Sequence, residues 1–265
     1  MSSLSLSKAW DESKAIATRD GRLIGAVALA LVLLPQTILG VVVPPPGLSG
    51  EAAPAWVPGL SLLAAAIGLV GQIAIVRLAL GSTSVGEAIA HGLRRAAPAI
   101  GALMLFALPL ALILMLLLLA VGGPGSLDAL SGGGTPAPAV GGVILLFIVI
   151  VAAISIRFQM IVPLAAVQSA NPIHILRRSW ALTRGHYWRL LTFLFMIMVL
   201  AVVLLLVAEM VGGIIAKVAF GDVKPLGVGA LVVALITSAA QAVFTALSSL
   251  MLARIYVQLS GNKGI

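Results

Sequence analysis

Chemistry needs acids, bases, nucleophiles or metal ligands gathered in one place, so the side chains able to supply them come first. The chain has no cysteine, which excludes disulfides, thiol nucleophiles and cysteine-held metals. Its eight acidic residues are scattered, and no two are spaced to share acid–base work. Glu209 is the one acid inside an apolar segment. It lies twenty residues past Arg189, about 30 Å of helix rise. That places it near the far membrane interface, as an interfacial or salt-bridging group. A proton or substrate role is the alternative that any intramembrane acid raises. His91, His174 and His186 are not paired at metal-ligand spacing and read as headgroup-level histidines. Gly132-Gly133-Gly134 lacks the strand–turn–helix setting and the lysine of a phosphate-binding loop. No catalytic residue, metal site or cofactor is expected.

Two other groups carry chemical interest. Arg77, Arg157 and Arg254 each end an apolar segment. They either snorkel to the interface and set topology, or form a basic collar for anionic lipid headgroups. Arg177, Arg178, Arg184 and Arg189 cluster in one stretch and are headgroup candidates for the same reason. Ser238, Gln241, Thr245 and Ser248 recur at helical spacing. They make a polar stripe that serves helix packing or lines a hydrophilic path or headgroup groove. Gly21, Gly25 and Ala28 share a face and read as a packing seam.

The elements that position these residues follow from composition. The chain is 61% hydrophobic and 9% charged, against roughly 25% charged for a soluble domain. Its apolar residues come in blocks of about 20, enough to cross a hydrocarbon core of roughly 30 Å. Six spans are predicted, near 21–43, 58–80, 97–121, 139–166, 189–216 and 227–256. Charges at 1–20 argue against a cleavable signal peptide. Val43-Pro44-Pro45-Pro46-Gly47 is a stiff connector, and Gly122 to Pro138 a flexible loop. The net charge of +8 sits at span ends, so it reads as a topology signal and not as a nucleic-acid surface. Every basic residue except Lys217 and Lys224 marks one side. By the positive-inside rule that side is cytoplasmic, with both termini inside.

An internal repeat is expected over 5–80, 84–166 and 171–258 within a single polytopic domain, 1–265. Each unit is a cytoplasmic amphipathic helix followed by two spans. Ser5 caps the first helix, which buries Leu6, Ala9, Trp10, Ser13 and Ala17. Ser84-Val85-Gly86-Glu87 fits a capping box. Asn171-Pro172 starts the third, with proline at the first helical position. An even number of spans per unit makes the repeats parallel.

The most distinctive stretch is Asn171-Pro-Ile-His-Ile-Leu-Arg-Arg-Ser-Trp-Ala-Leu-Thr-Arg-Gly-His-Tyr-Trp-Arg-Leu-Leu191. Ile173, Leu176, Trp180 and Thr183 fall on one helical face, Gly185 suits a left-handed C-terminal cap, and Tyr187 and Trp188 suit the headgroup level. This stretch resembles the signature of the bacterial glycerophosphoryl diester phosphodiesterase membrane-domain family, and is similar to YciC-like inner-membrane proteins. The six-span layout and Leu252-Ala253-Arg254-Ile255-Tyr256 extend the likeness over the chain. The resemblance implies a bacterial inner-membrane setting. In the founding members hydrolysis belongs to a fused soluble barrel, a fold of roughly 250 residues, with no counterpart in these 265 residues. The family name therefore implies no activity here.

The expectation is an all-α integral membrane protein that is not an enzyme. It binds or handles lipids, anionic ones in particular, or organises the envelope. The alternative is a small-solute transporter or channel lined by polar faces of the spans.

Overall fold

The structure, a computed structural model, describes residues 5–43, 56–81, 83–123, 137–168, 171–221 and 223–261. The connector at 44–47, most of the glycine-rich loop (124–136) and Lys263 lie outside them. The order is α1 (Leu6–Ala28), a π turn (Leu29–Leu33), α2 (Leu34–Val42), α3 (Val57–Leu80) and α4 (Val85–Gly122). There follow α5 (Pro138–Ser155), a 3-10 turn (Ile156–Phe158), α6 (Ile161–Val167), α7 (Pro172–Thr183), α8 (Tyr187–Phe220) and α9 (Val228–Ser260). No strand occurs among the described residues. Six helical rods are long and apolar enough to cross a membrane, and the chain is a multi-pass membrane protein.

The amphipathic segments join their spans in two ways. The first runs into its span through the π turn, giving one rod over Leu6–Val42. The second runs straight on, giving α4 its 38 residues despite Pro98 and Pro109. Only the third is separate: Gly185 adopts φ +92° between α7 and α8, a left-handed conformation that costs other residues more. The starts agree with the sequence. Ser5 Oγ accepts from the Lys8 N–H at 3.3 Å. Ser84 and Glu87 form the full capping box, at 3.3 and 3.2 Å, and α7 begins at Pro172.

Two amphipathic faces differ from expectation. On α1 the buried residues are Ala9, Ser13 and Ile16, while Trp10 and Ala17 are exposed. On α7 they are Ile175, Ser179 and Thr183, while Ile173 and Trp180 are exposed. The α1 face keeps Ala9 and Ser13 and is turned by roughly 50°; the α7 face keeps Thr183 and is turned by roughly 80°. An apolar period leaves such a rotation open; on α7 the polar groups set it, as described below.

The core sits at the basic end. There α3, α6 and α9 bury Ile73, Ile75, Leu164, Met251 and Ile255 against one another, with Ile156 and Ile175 alongside. α9 is the hub, packed against α1, α2, α3 and α8. A second, small cluster (Ala216, Val223, Ala230 and Val233) closes the other end between α8 and α9. The termini meet: the Ser5 N–H donates to Gln258 Oε1 at 2.9 Å, and Gln258 Nε2 donates back to the Ser5 carbonyl at 3.3 Å. Ser5 and Gln258 therefore lie on one side of the membrane.

Small residues make the close approaches, but not at the expected seam. A Cβ on Gly21 or Gly25 would meet nothing within 4 Å. The tightest sites are Gly92 against the Val70 carbonyl oxygen (2.7 Å to an added Cβ), Gly101 against Pro172 Cγ (2.8 Å) and Gly40 against Ala234 Cβ (2.9 Å). Gly92→Ala is expected to destabilise the protein by about 1–3 kcal/mol, because backbone on α3 must move. Gly86→Ala, on the same helix with open space around it, should be neutral or stabilise by up to about 1 kcal/mol. Thermal unfolding in detergent, run on both variants, separates the two effects.

Candidate functional site

The arginines at the basic end do not share one environment. Arg254 reaches from α9 to the end of α3, where its Nη2 donates to the Ala79 carbonyl at 3.1 Å. Carbonyls in a last helical turn lack intrahelical donors, and a cation there also complements the helix dipole. Arg254 Nε is buried with no partner, as is Thr83 Oγ1 just beyond α3. Both residues line a cavity of about 370 Å³ between α1, α3 and α9, together with Arg19, Asp20, Leu23 and the α3 end. Arg19 Nη2 holds Asp20 at 2.7 Å. Two guanidiniums against one carboxylate leave the cavity lining net positive.

Arg157 lies in the break between α5 and α6. Its guanidinium carbon stands 5.1 Å from the Trp180 ring centroid and 5.2 Å from that of Tyr187, a cation–π contact with each. The Ser179 hydroxyl donates to the Arg157 carbonyl at 2.7 Å, and Thr183 approaches it at 3.5 Å. The Ser179 bond satisfies the carbonyl freed by the break and explains why α7 turns this face inward; the one Thr183 hydroxyl proton has a shorter bond to the Ser179 carbonyl of its own helix, at 3.0 Å. Arg157 Nη1, both polar atoms of Gln159 and His186 Nδ1 are buried without partners. Arg77 is half-buried in the last turn of α3. Neither Arg77 nor Arg157 lines the Arg254 cavity.

On α7, His174, Arg177 and Arg178 line an open groove of about 520 Å³ with Ala181 and Leu182. With its amide turned to satisfy both groups, Gln168 accepts from Arg178 Nε at 3.1 Å and from Nη2 at 3.3 Å. Arg184 and Arg189 are exposed nearby.

The polar stripe of α9 divides. Ser238 and Gln241 line a notch of about 150 Å³ with Gln36, Leu205 and Thr237. Thr245 is buried in packing, and the Ser248 hydroxyl donates to the Thr245 carbonyl of its own helix at 3.1 Å. Glu209 is half-buried on α8. His91 Nε2 contacts the Ala166 carbonyl at 2.7 Å, joining α4 to α6. No group of three potential metal ligands occurs among the described residues.

Sequence reasoning missed Arg19, Thr83 and Gln36. Arg19 and Thr83 look like ordinary flanking residues, and only packing brings them to Arg254. Gln36 carried a usable signal, being a lone amide in an apolar span.

The Ser179 bond yields a direct test. Ser179→Ala should cost about 1–3 kcal/mol, since the Arg157 carbonyl loses its short donor. Thr192→Ala, which removes only an exposed bond within its own helix (3.0 Å), should change little in the same thermal unfolding assay.

A family model described as Domain of unknown function (DUF7847) matches residues 5–259. No curated protein and no solved structure gives a match to the chain. A match over nearly all the helical rods and every arginine described above places this chain in the DUF7847 family, to which it belongs.

Proposed function

We propose that this chain is a non-enzymatic, lipid-binding protein of a bacterial inner membrane, with its basic end and both termini in the cytoplasm. It holds the phosphate of an anionic headgroup in the cavity between α1, α3 and α9. One observation carries this reading: Arg254 Nε and Thr83 Oγ1, both buried and without partners, belong to residues of a cavity that Arg19 also lines. Buried polar groups are satisfied in native proteins, and phosphate oxygens match a guanidinium fork geometrically and electrostatically.

The surrounding charge favours the same ligand. Basic residues beside the membrane surface attract anionic lipid by about 1 kcal/mol each, and the α7 groove adds Arg177 and Arg178 on a helix in contact with α9. Arg77 and Arg157 serve as interface anchors in this reading, since both lie outside the cavity. The likeness of 171–191 to glycerophosphoryl diester phosphodiesterase membrane domains agrees with a bacterial membrane setting beside lipids.

Native mass spectrometry of protein released from nanodiscs of phosphatidylglycerol and phosphatidylethanolamine tests the site. Wild type should retain phosphatidylglycerol in fixed number. Arg254→Gln and Thr83→Val should each lower that occupancy several-fold, whereas Arg77→Gln should not. Equal retention by wild type and Arg254→Gln would sink the reading. Orientation has its own test, made clean by the lack of native cysteine. A cysteine at Lys224 should react with an impermeant maleimide added outside spheroplasts, and one at Ser84 should react only after lysis. The reverse pattern overturns the orientation.

A further inference from the structure

The notch formed by Gln36, Leu205, Thr237, Ser238 and Gln241 is chemically unlike the arginine cavity. All its polar groups are neutral. No charged side chain lines it. Thr237 spends its hydroxyl on the Val233 carbonyl of its own helix, at 2.9 Å. Among the described residues, the Gln36 and Gln241 amides make no hydrogen bond. Two amides and the Ser238 hydroxyl therefore face a space of about 150 Å³, about five times the volume of one liquid water.

The depth of the notch limits what can enter it. Gln36 lies about 21 Å along its rod from Arg22, and Ser238 about 24 Å along α9 from Arg254, at 1.5 Å per residue. With those arginines at one boundary of a core of about 30 Å, the notch sits about 6–9 Å inside the opposite boundary. An ionised headgroup at that depth is costly. A hydroxyl or ester is not, and it would meet amides that hydrocarbon leaves unsatisfied. On α8, Val202 and Leu206 stand one turn before and one residue after the lining residue Leu205, and both are about half exposed. They provide a surface along which acyl or alkyl chains can lie.

We propose that this notch binds the uncharged, hydroxyl-bearing head of a neutral lipid, of the diacylglycerol or long-chain alcohol type, in the leaflet opposite the basic end. The site is separate from the headgroup cavity and does not rest on it. Gln36 and Gln241 bond the hydroxyl and, in a diacylglycerol, the adjacent ester oxygen as well, and Ser238 adds a further contact.

Purified protein in nanodiscs doped with dioleoylglycerol or with oleyl alcohol is the test, read by native mass spectrometry. Wild type should retain at least one of the two, and which one identifies the source of the hydroxyl. The Gln36→Leu/Gln241→Leu variant should lower retention about tenfold, the loss of about two membrane hydrogen bonds, while Arg254→Gln leaves it unchanged. Thr237→Val/Ser238→Ala, a milder change, should lower it less and guards against loss of fold in the first variant. Retention of neither lipid, or equal retention by wild type and both notch variants, overturns the proposal. So does a two-chain species that the Gln36→Leu/Gln241→Leu change dissociates, since the notch would then seat a second copy.

Discussion

Hydrocarbon offers no hydrogen-bond partners, so every backbone N–H and C=O within the membrane must be satisfied by the protein. The rest of this structure answers to that constraint. Long unbroken rods are the simplest solution, and α4, α8 and α9 adopt it at 33 to 38 residues each. Where the rods are interrupted, other groups step in. The π turn lets the first rod continue into Pro35, which has no N–H to give. The break after α5 is bridged by Ser179, whose hydroxyl donates to the Arg157 carbonyl. Arg254 does the same for the end of α3. Polar side chains that look like topology markers are thus also part of the backbone's own hydrogen-bonding scheme.

The two ends of the bundle follow from the division of packing. At the basic end, α7 and the 3-10 turn lie across the helices, and large side chains from α3, α6 and α9 interlock. At the other end the described core shrinks to small residues between α8 and α9, and the Leu226 N–H is tied to the Val41 carbonyl at 2.8 Å. A rigid basic platform and a more open opposite half result. Cationic groups held on a rigid platform lose less freedom when they meet an anion than the same groups on mobile chains, which favours binding there.

The two candidate sites differ as their depths require. In the proposed placement the arginine cavity stands at headgroup level, and its lining carries a net positive charge. In the same placement the notch stands inside the apolar zone, and its polar groups are amides and hydroxyls. A guanidinium at the notch would be costly, and amides at the headgroup level would compete with water. Each side-chain type stands where its desolvation cost is tolerable.

Much of the fold was legible in the sequence. The blocks of apolar residues located six rods, because only a lipid environment tolerates so few charges. Ser84-Glu87, Pro172 and Gly185 marked helix ends, because caps and left-handed turns are local chemistry. Packing decided the rest. Which of two adjacent tracks α1 and α7 bury depends on partners far away in the chain, and for α7 on a carbonyl exposed by a break that nothing local in the α7 sequence announces. The Gly21–Gly25 seam had the right spacing, yet the closest approaches occur at Gly40, Gly92 and Gly101, since spacing names a face and not its neighbour. The separation of Arg77, Arg157 and Arg254 into three settings was likewise tertiary, as was the meeting of Arg19, Thr83 and Arg254. The sequence by itself determined the solvent this protein lives in and the ends of its helices, because both depend on short-range composition. Only the tertiary structure decided which polar groups meet, because that depends on helix rotation and crossing, which local periodicity leaves undetermined.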